Sequence, residues 1–66
     1  MTEPSESIRA IFRIESPRLI GRLARAFRDV ALAEDLAQEA FISALERWPR
    51  DGVPDDPGAW LMTTAK

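Results

Sequence analysis

The sequence predicts an all-α fold, a small bundle of about three helices without strands. Three observations predict it. The first half of the chain carries an apolar series at helical spacing, and the middle carries a broad apolar stripe on a helical wheel drawn at about 100° per residue. Near the end, an Asp-Pro pair starts a further helix. The 66 residues form at most one domain, with little apolar area to offset the entropy of the chain.

The first helix is predicted to begin near Ser5 or Ser7, either of which can serve as an N-cap. Pro17 interrupts its apolar series, because proline removes an interior hydrogen bond and disfavours the α conformation in the residue before it. Pro17 is therefore predicted either to kink this helix or to open a second helical segment. The apolar face consists of Ile8, Ile11, Phe12, Leu19, Ile20, Leu23, Phe27 and Val30.

Three arginines, Arg18, Arg22 and Arg25, lie together on the polar face of this first half. One interpretation is a solvated surface with local ion pairs, the ordinary way to complete a helix. The other is a contact with nucleic acid or with an acidic protein surface. Six of the nine basic residues precede Asp29, so the net charge of −2 does not decide between the two.

A central helix that contains residues 32–48 is predicted, with Asp29 as a suitable N-cap and with its end at Trp48, because Pro49 cannot continue it. One side of this helix is apolar and is predicted to face the core. Its members are Ala33, Leu36, Ala37, Ala40, Phe41, Ala44 and Trp48.

The opposite side of the central helix carries a second stripe, acidic with an isoleucine in its middle. Asp35, Gln38, Glu39, Ile42 and Glu46 recur there at helical spacing. An apolar centre with a charged rim is typical of a docking surface for a basic partner. The alternative is that Ile42 is a single exposed apolar residue and that the acids keep the surface soluble.

After a loop over residues 49–56, with Asp51-Gly52 as its tight turn, Asp56 and Pro57 are predicted to cap and open a last helix. This helix contains Trp60 and reaches Lys66 without a stop signal. We therefore expect a fragment from the N-terminal part of a larger protein.

Cysteine and histidine are absent, which excludes disulfides, Cys/His zinc sites and histidine acid-base catalysis. The carboxylates Glu34, Asp35, Glu39 and Glu46 point outward and lack the histidines of helix-bundle metal sites. We therefore expect no catalytic residue, no cofactor and no metal. No run approaches the about 20 apolar residues of a membrane span, and the N-terminus is acidic, so a cytoplasmic protein is expected.

Two segments carry a family resemblance. Residues 33–41, Ala-Glu-Asp-Leu-Ala-Gln-Glu-Ala-Phe, followed by Ala44, Leu45 and Trp48, strongly resemble region 2.2 of the sigma-70 family of bacterial transcription initiation factors. Residues 57–66, Pro-Gly-Ala-Trp-Leu-Met-Thr-Thr-Ala-Lys, resemble the start of region 2.3 in the extracytoplasmic-function group. The arginine-rich first helix takes the place of region 2.1. The resemblance implies that residues 1–66 are a truncated sigma-70 region 2 domain, with region 2.4 and region 4 absent from the chain.

The resemblance implies a non-enzymatic factor that binds core RNA polymerase and directs it to promoters. Region 2.2 of the family docks on the clamp helices of the β′ subunit, and the matching positions are Asp35, Gln38, Glu39, Ile42 and Leu45. In the full-length protein, regions 2.3 and 2.4 recognise and open the promoter −10 element. The positions here that can face DNA are Trp60, Thr63, Thr64 and Lys66. For Trp60 the favoured alternative is a core position against the central helix.

An anti-sigma factor or a C-terminal extension of the protein is a further partner that the family implies.

A function of another class fits the same pattern: a helical hairpin for homodimerisation, or an adaptor, that does not bind polymerase. Such a hairpin would use the face of Asp35 and Ile42 on another copy of itself or on an unrelated basic protein.

Overall fold

The computed structural model describes residues 4–66, and their side chains from Glu6 onward, as three α-helices and the segments that connect them. Helix α1 spans Pro4–Phe27, α2 spans Val30–Asp51 and α3 spans Pro57–Ala65. No strand occurs within residues 4–66. The predicted all-α bundle of about three helices is confirmed.

Helix α1 starts at Pro4, a residue type favoured in the first helical turn, so Ser5 and Ser7 lie inside the helix rather than at its cap. Pro17 also lies inside α1, which continues without interruption to Phe27. The alternative that Pro17 opens a separate helix is therefore wrong. The Pro17 side chain is exposed, which allows water to reach the helix where the proline removes a hydrogen bond.

Both predicted aspartate caps are confirmed. The Leu32 backbone N–H donates to Asp29 Oδ1 at 3.0 Å at the start of α2. The Ala59 backbone N–H donates to Asp56 Oδ1 at 3.1 Å at the start of α3, where Pro57 is the first helical residue. These bonds satisfy donors that the helix itself leaves without partners, and so they fix where α2 and α3 begin.

The predicted end of α2 at Trp48 is wrong, because the helix continues through Pro49 to Asp51. Pro49 is exposed and removes only one hydrogen bond, close to the point where the helix ends in any case. Gly52 ends the helix instead. Its φ of 92° lies in a region that favours glycine, and its backbone N–H donates to the Trp48 carbonyl at 2.8 Å.

Helices α1 and α2 run antiparallel, since Phe12 near the start of α1 meets residues in the second half of α2. The ring centroid of Phe12 lies 4.4 Å from that of Phe41 and 5.9 Å from that of Trp48. The buried side of α2 is built mainly from fully buried alanines, whose small side chains allow neighbouring helices to pack closely. These alanines are Ala33, Ala37, Ala40 and Ala44.

Helix α3 packs against both α1 and α2. Leu61 is fully buried in the common core, and the Trp60 ring stands edge-on to Trp48 at a centroid distance of 5.3 Å. At the other side of α3, a Cβ added to Gly58 would lie 2.8 Å from Glu15 Oε1. The Glu15 carboxylate therefore lies beside the N-terminal end of α3, where the helix dipole favours a negative charge.

The Asp29 cap leads to a first prediction. Asp29→Ala is expected to lower the free energy of unfolding by about 1 kcal/mol, because the Leu32 N–H loses its acceptor. Asp29→Asn is the control, since asparagine keeps the acceptor and removes the charge. Urea denaturation followed by circular dichroism measures both. Equal stability of the alanine variant and the unsubstituted chain would contradict the assignment.

Candidate functional site

The two sides of α2 differ as the sequence predicts. The inner side is buried in the core, with Leu36 and Phe41 partly buried beside the alanines and Trp48. The outer side is exposed along its whole length. We call this exposed set the acidic stripe: Asp35, Gln38, Glu39, Ile42 and Glu46.

An apolar patch lies in the middle of the acidic stripe. The Ile42 residue is 54% exposed, and Leu45, at the edge of the stripe, is 48% exposed. Residues three positions apart are neighbours on a helix surface, so these two side chains form one small patch. In the free domain this patch is in contact with water. Covering it with an apolar partner surface would remove apolar area from water, which is favourable.

Acidic side chains border one side of this patch. Asp35, Glu39 and Glu46 are exposed, and none of them forms an ion pair within the described part of the chain. Asp35 and Glu39 also have no basic residue three or four positions away on α2, so their negative charge is available to a basic partner. The acidic stripe thus combines an apolar centre with an uncompensated acidic rim, which is the composition of a small protein-docking surface.

The second predicted set, on α3, divides into two environments. Thr63, Thr64 and Lys66 are exposed on the last turn of α3 and just beyond it. Trp60 is only partly exposed and packs on the core against Trp48. The core position that the sequence favours for Trp60 agrees with this packing.

Ile14 is a surface residue that the sequence pattern does not place. It falls outside the apolar series of α1, and the structure leaves it 57% exposed. Arg18 follows one turn later on the same face of the helix, and Arg22 follows after a further turn. The sequence feature that could have indicated its exposure is the position of Ile14 at the start of the series Arg18, Arg22 and Arg25, on the polar face of the helix.

The described residues contain no cavity that would hold a small molecule. No group of three or more carboxylates in residues 4–66 is placed to hold a metal ion. None of the three helices is long and apolar enough to cross a membrane.

The structure defines a small three-helix domain, with one face of α2 in the core and the other exposed. Residues 11–66 match the family described as Sigma-70 region 2. The chain therefore belongs to the sigma-70 region 2 family, a family of non-enzymatic transcription factors that act in initiation.

One relative is an uncharacterized protein of Rhizobium meliloti (strain 1021), which is 54% identical over 46 residues. The match covers 70% of this chain and 11% of that protein. The chain thus corresponds to a small part of the length of this relative. No solved structure matches the chain.

Proposed function

We propose that the chain is the region 2 domain of a bacterial sigma factor of the extracytoplasmic-function group, and that it acts in the cytoplasm by binding core RNA polymerase. The acidic stripe and Leu45 form the binding surface, and the clamp helices of the β′ subunit are its partner. The observation that supports this proposal most directly is the exposure of Ile42 and Leu45 within an unpaired acidic rim, on a chain of this family.

The interaction is helix against helix. Ile42 and Leu45 enter an apolar groove between basic side chains of the partner, and their burial supplies most of the affinity. The carboxylates of Asp35 and Glu39 attract that basic partner and set its orientation. Gln38 adds hydrogen-bond donors and an acceptor at the rim, where they remain solvated in the free domain.

Contacts with DNA come from α3 in the full-length protein. Thr63, Thr64 and Lys66 contribute to recognition and melting of the −10 element, and Trp60 holds α3 in place through Trp48. Lys66 is the one cation in this set, so these α3 positions alone bind DNA weakly. The same proposal includes the domain boundaries, with region 2.4 and region 4 outside residues 1–66. It also includes masking of the acidic stripe by an anti-sigma factor or by a C-terminal extension.

The test is binding of the chain to core RNA polymerase and to an isolated fragment containing the β′ clamp helices. Ile42→Asp is expected to weaken binding by at least about 30-fold, because a buried apolar anchor at the centre of an interface is worth about 2 kcal/mol or more. Gln38→Ala is expected to weaken it less. Fluorescence anisotropy at low micromolar chain concentration provides the measurement.

A matched control is available on α1. Ile14→Asp makes the same chemical change at a residue with 57% exposure, against 54% for Ile42, on another helix. It is expected to leave polymerase binding unchanged, and circular dichroism checks that both variants are folded. Equal binding by the Ile42→Asp variant and the unsubstituted chain, or equal losses in the two isoleucine variants, would overturn the proposal.

A further inference from the structure

Helix α1 carries a face opposite in charge to the acidic stripe. We call it the basic stripe: Ile14, Arg18, Arg22 and Arg25, all exposed. Arg18 makes the one ion pair found within residues 4–66, a long contact of 3.9 Å to Glu15, and its side chain remains 67% exposed. Arg25 Nε donates to the Gly21 carbonyl of its own helix at 3.4 Å. The positive charge of this face is thus mostly uncompensated within the domain.

The two stripes match in spacing as well as in charge. Arg18 and Arg22 lie about one and two turns after Ile14 along α1. Glu39 and Asp35 lie about one and two turns before Ile42 along α2. The arginines are four and eight residues from Ile14, and the acids are three and seven residues from Ile42. Each stripe therefore has an exposed isoleucine and two charges at similar distances from it, in opposite chain directions.

We propose that the basic stripe of one copy of the chain docks antiparallel on the acidic stripe of a second copy. Ile14 then lies opposite Ile42, Arg18 opposite Glu39, and Arg22 opposite Asp35. Gly21 lies beside Arg22 and has no neighbouring group within 4 Å of where a Cβ would be, so the partner helix can approach the α1 backbone there.

This association joins two different faces, so it is heterologous, and further copies can add unless the two faces close on each other in a dimer. The contact is weak and salt-sensitive, because its ion pairs are exposed and it has few apolar anchors. One consequence rests on the proposed function. Self-association covers Ile42, the proposed polymerase anchor, so the chain would bind polymerase only as a free monomer. The self-association itself does not depend on that function.

Charge reversal tests the pairing. Sedimentation velocity at low ionic strength, with chain concentrations on the order of 0.1 to 1 mM, is expected to detect species larger than a monomer. The double variant Arg18→Glu with Arg22→Glu, and the double variant Asp35→Arg with Glu39→Arg, are each expected to weaken this association at least about tenfold. Mixing the two double variants is expected to restore it, because opposite charges then face each other again.

Circular dichroism of both double variants separates lost pairing from lost folding. Monomers at all concentrations, or failure of the mixture to associate while both variants are folded by circular dichroism, would overturn the proposal. Binding of a DNA oligonucleotide through Arg18 and Arg22 without self-association would overturn it as well, and would assign the basic stripe to nucleic acid. The double variant Arg18→Glu with Arg22→Glu is expected to bind the β′ fragment normally at micromolar concentration. The polymerase-binding proposal is therefore tested by the β′ fragment and the self-association proposal by sedimentation, so that failure of one is distinguished from failure of the other.

Discussion

Trp48→Ala is expected to leave the chain largely unfolded at 25 °C. Trp48 is 3% exposed and stands at the point where all three helices meet, with Phe12 at 5.9 Å and Trp60 at 5.3 Å between ring centroids. Removing a buried tryptophan costs about 3–5 kcal/mol. A chain of this length has a total stability of only about 3–10 kcal/mol, so the loss takes much or all of it.

The control for this prediction is Trp48→Phe. The indole Nε1–H of Trp48 is buried without a hydrogen-bond acceptor in the described structure, a situation that itself costs about 1–3 kcal/mol. Phenylalanine removes this unsatisfied donor while it keeps an aromatic ring against Phe12 and Trp60. The Trp48→Phe variant is therefore expected to be folded and clearly more stable than the alanine variant. Thermal and urea denaturation by circular dichroism rank them, and equal stability of the two variants would contradict the assigned role of the ring.

The helices and their starts could be predicted from the sequence because local chemistry decides them. Aspartate side chains at positions 29 and 56 offer acceptors to free N–H groups wherever the rest of the chain lies, and the alanine spacing of α2 defines its buried side. The exposure of the acidic stripe follows from the same periodicity. The geometry of the acidic stripe was therefore predictable from helical spacing. The identity of its binding partner was not, because helical spacing says only which residues are exposed.

The prolines could not be placed by local rules, because tertiary packing competes with them. Proline inside a helix costs about 3 kcal/mol, whereas burial of Leu19 and Leu23 after Pro17 contributes about 1.5–3 kcal/mol each. Packing of these two leucines against the other helices is thus sufficient to keep α1 continuous through Pro17. The exposure of Ile14 also depends on which part of α1 the other helices cover, and neighbouring residues in the sequence do not determine this.

Ala40→Glu is expected to cost about 3–5 kcal/mol and to unfold most of the population. Ala40 is fully buried on the side of α2 that forms the core, where the described residues offer no basic partner, since the buried set is entirely apolar. An uncompensated buried charge is destabilising by that amount, and the longer side chain also forces α1 and α2 apart. The measurement is urea denaturation followed by circular dichroism.

The matched control makes the same substitution on the exposed surface of the same helix. Ala31 is exposed in the first turn of α2, where a carboxylate interacts favourably with the helix dipole. Repulsion from Glu34 and Asp35, three and four residues later on the helix, opposes this dipole interaction. Ala31→Glu is therefore expected to change the free energy of unfolding by no more than about 0.5 kcal/mol. Similar stability of the two glutamate variants would mean that Ala40 is accessible to water. The alanines of α2 would then not form its buried side. In that case α2 would have no defined outer side on which to place the acidic stripe.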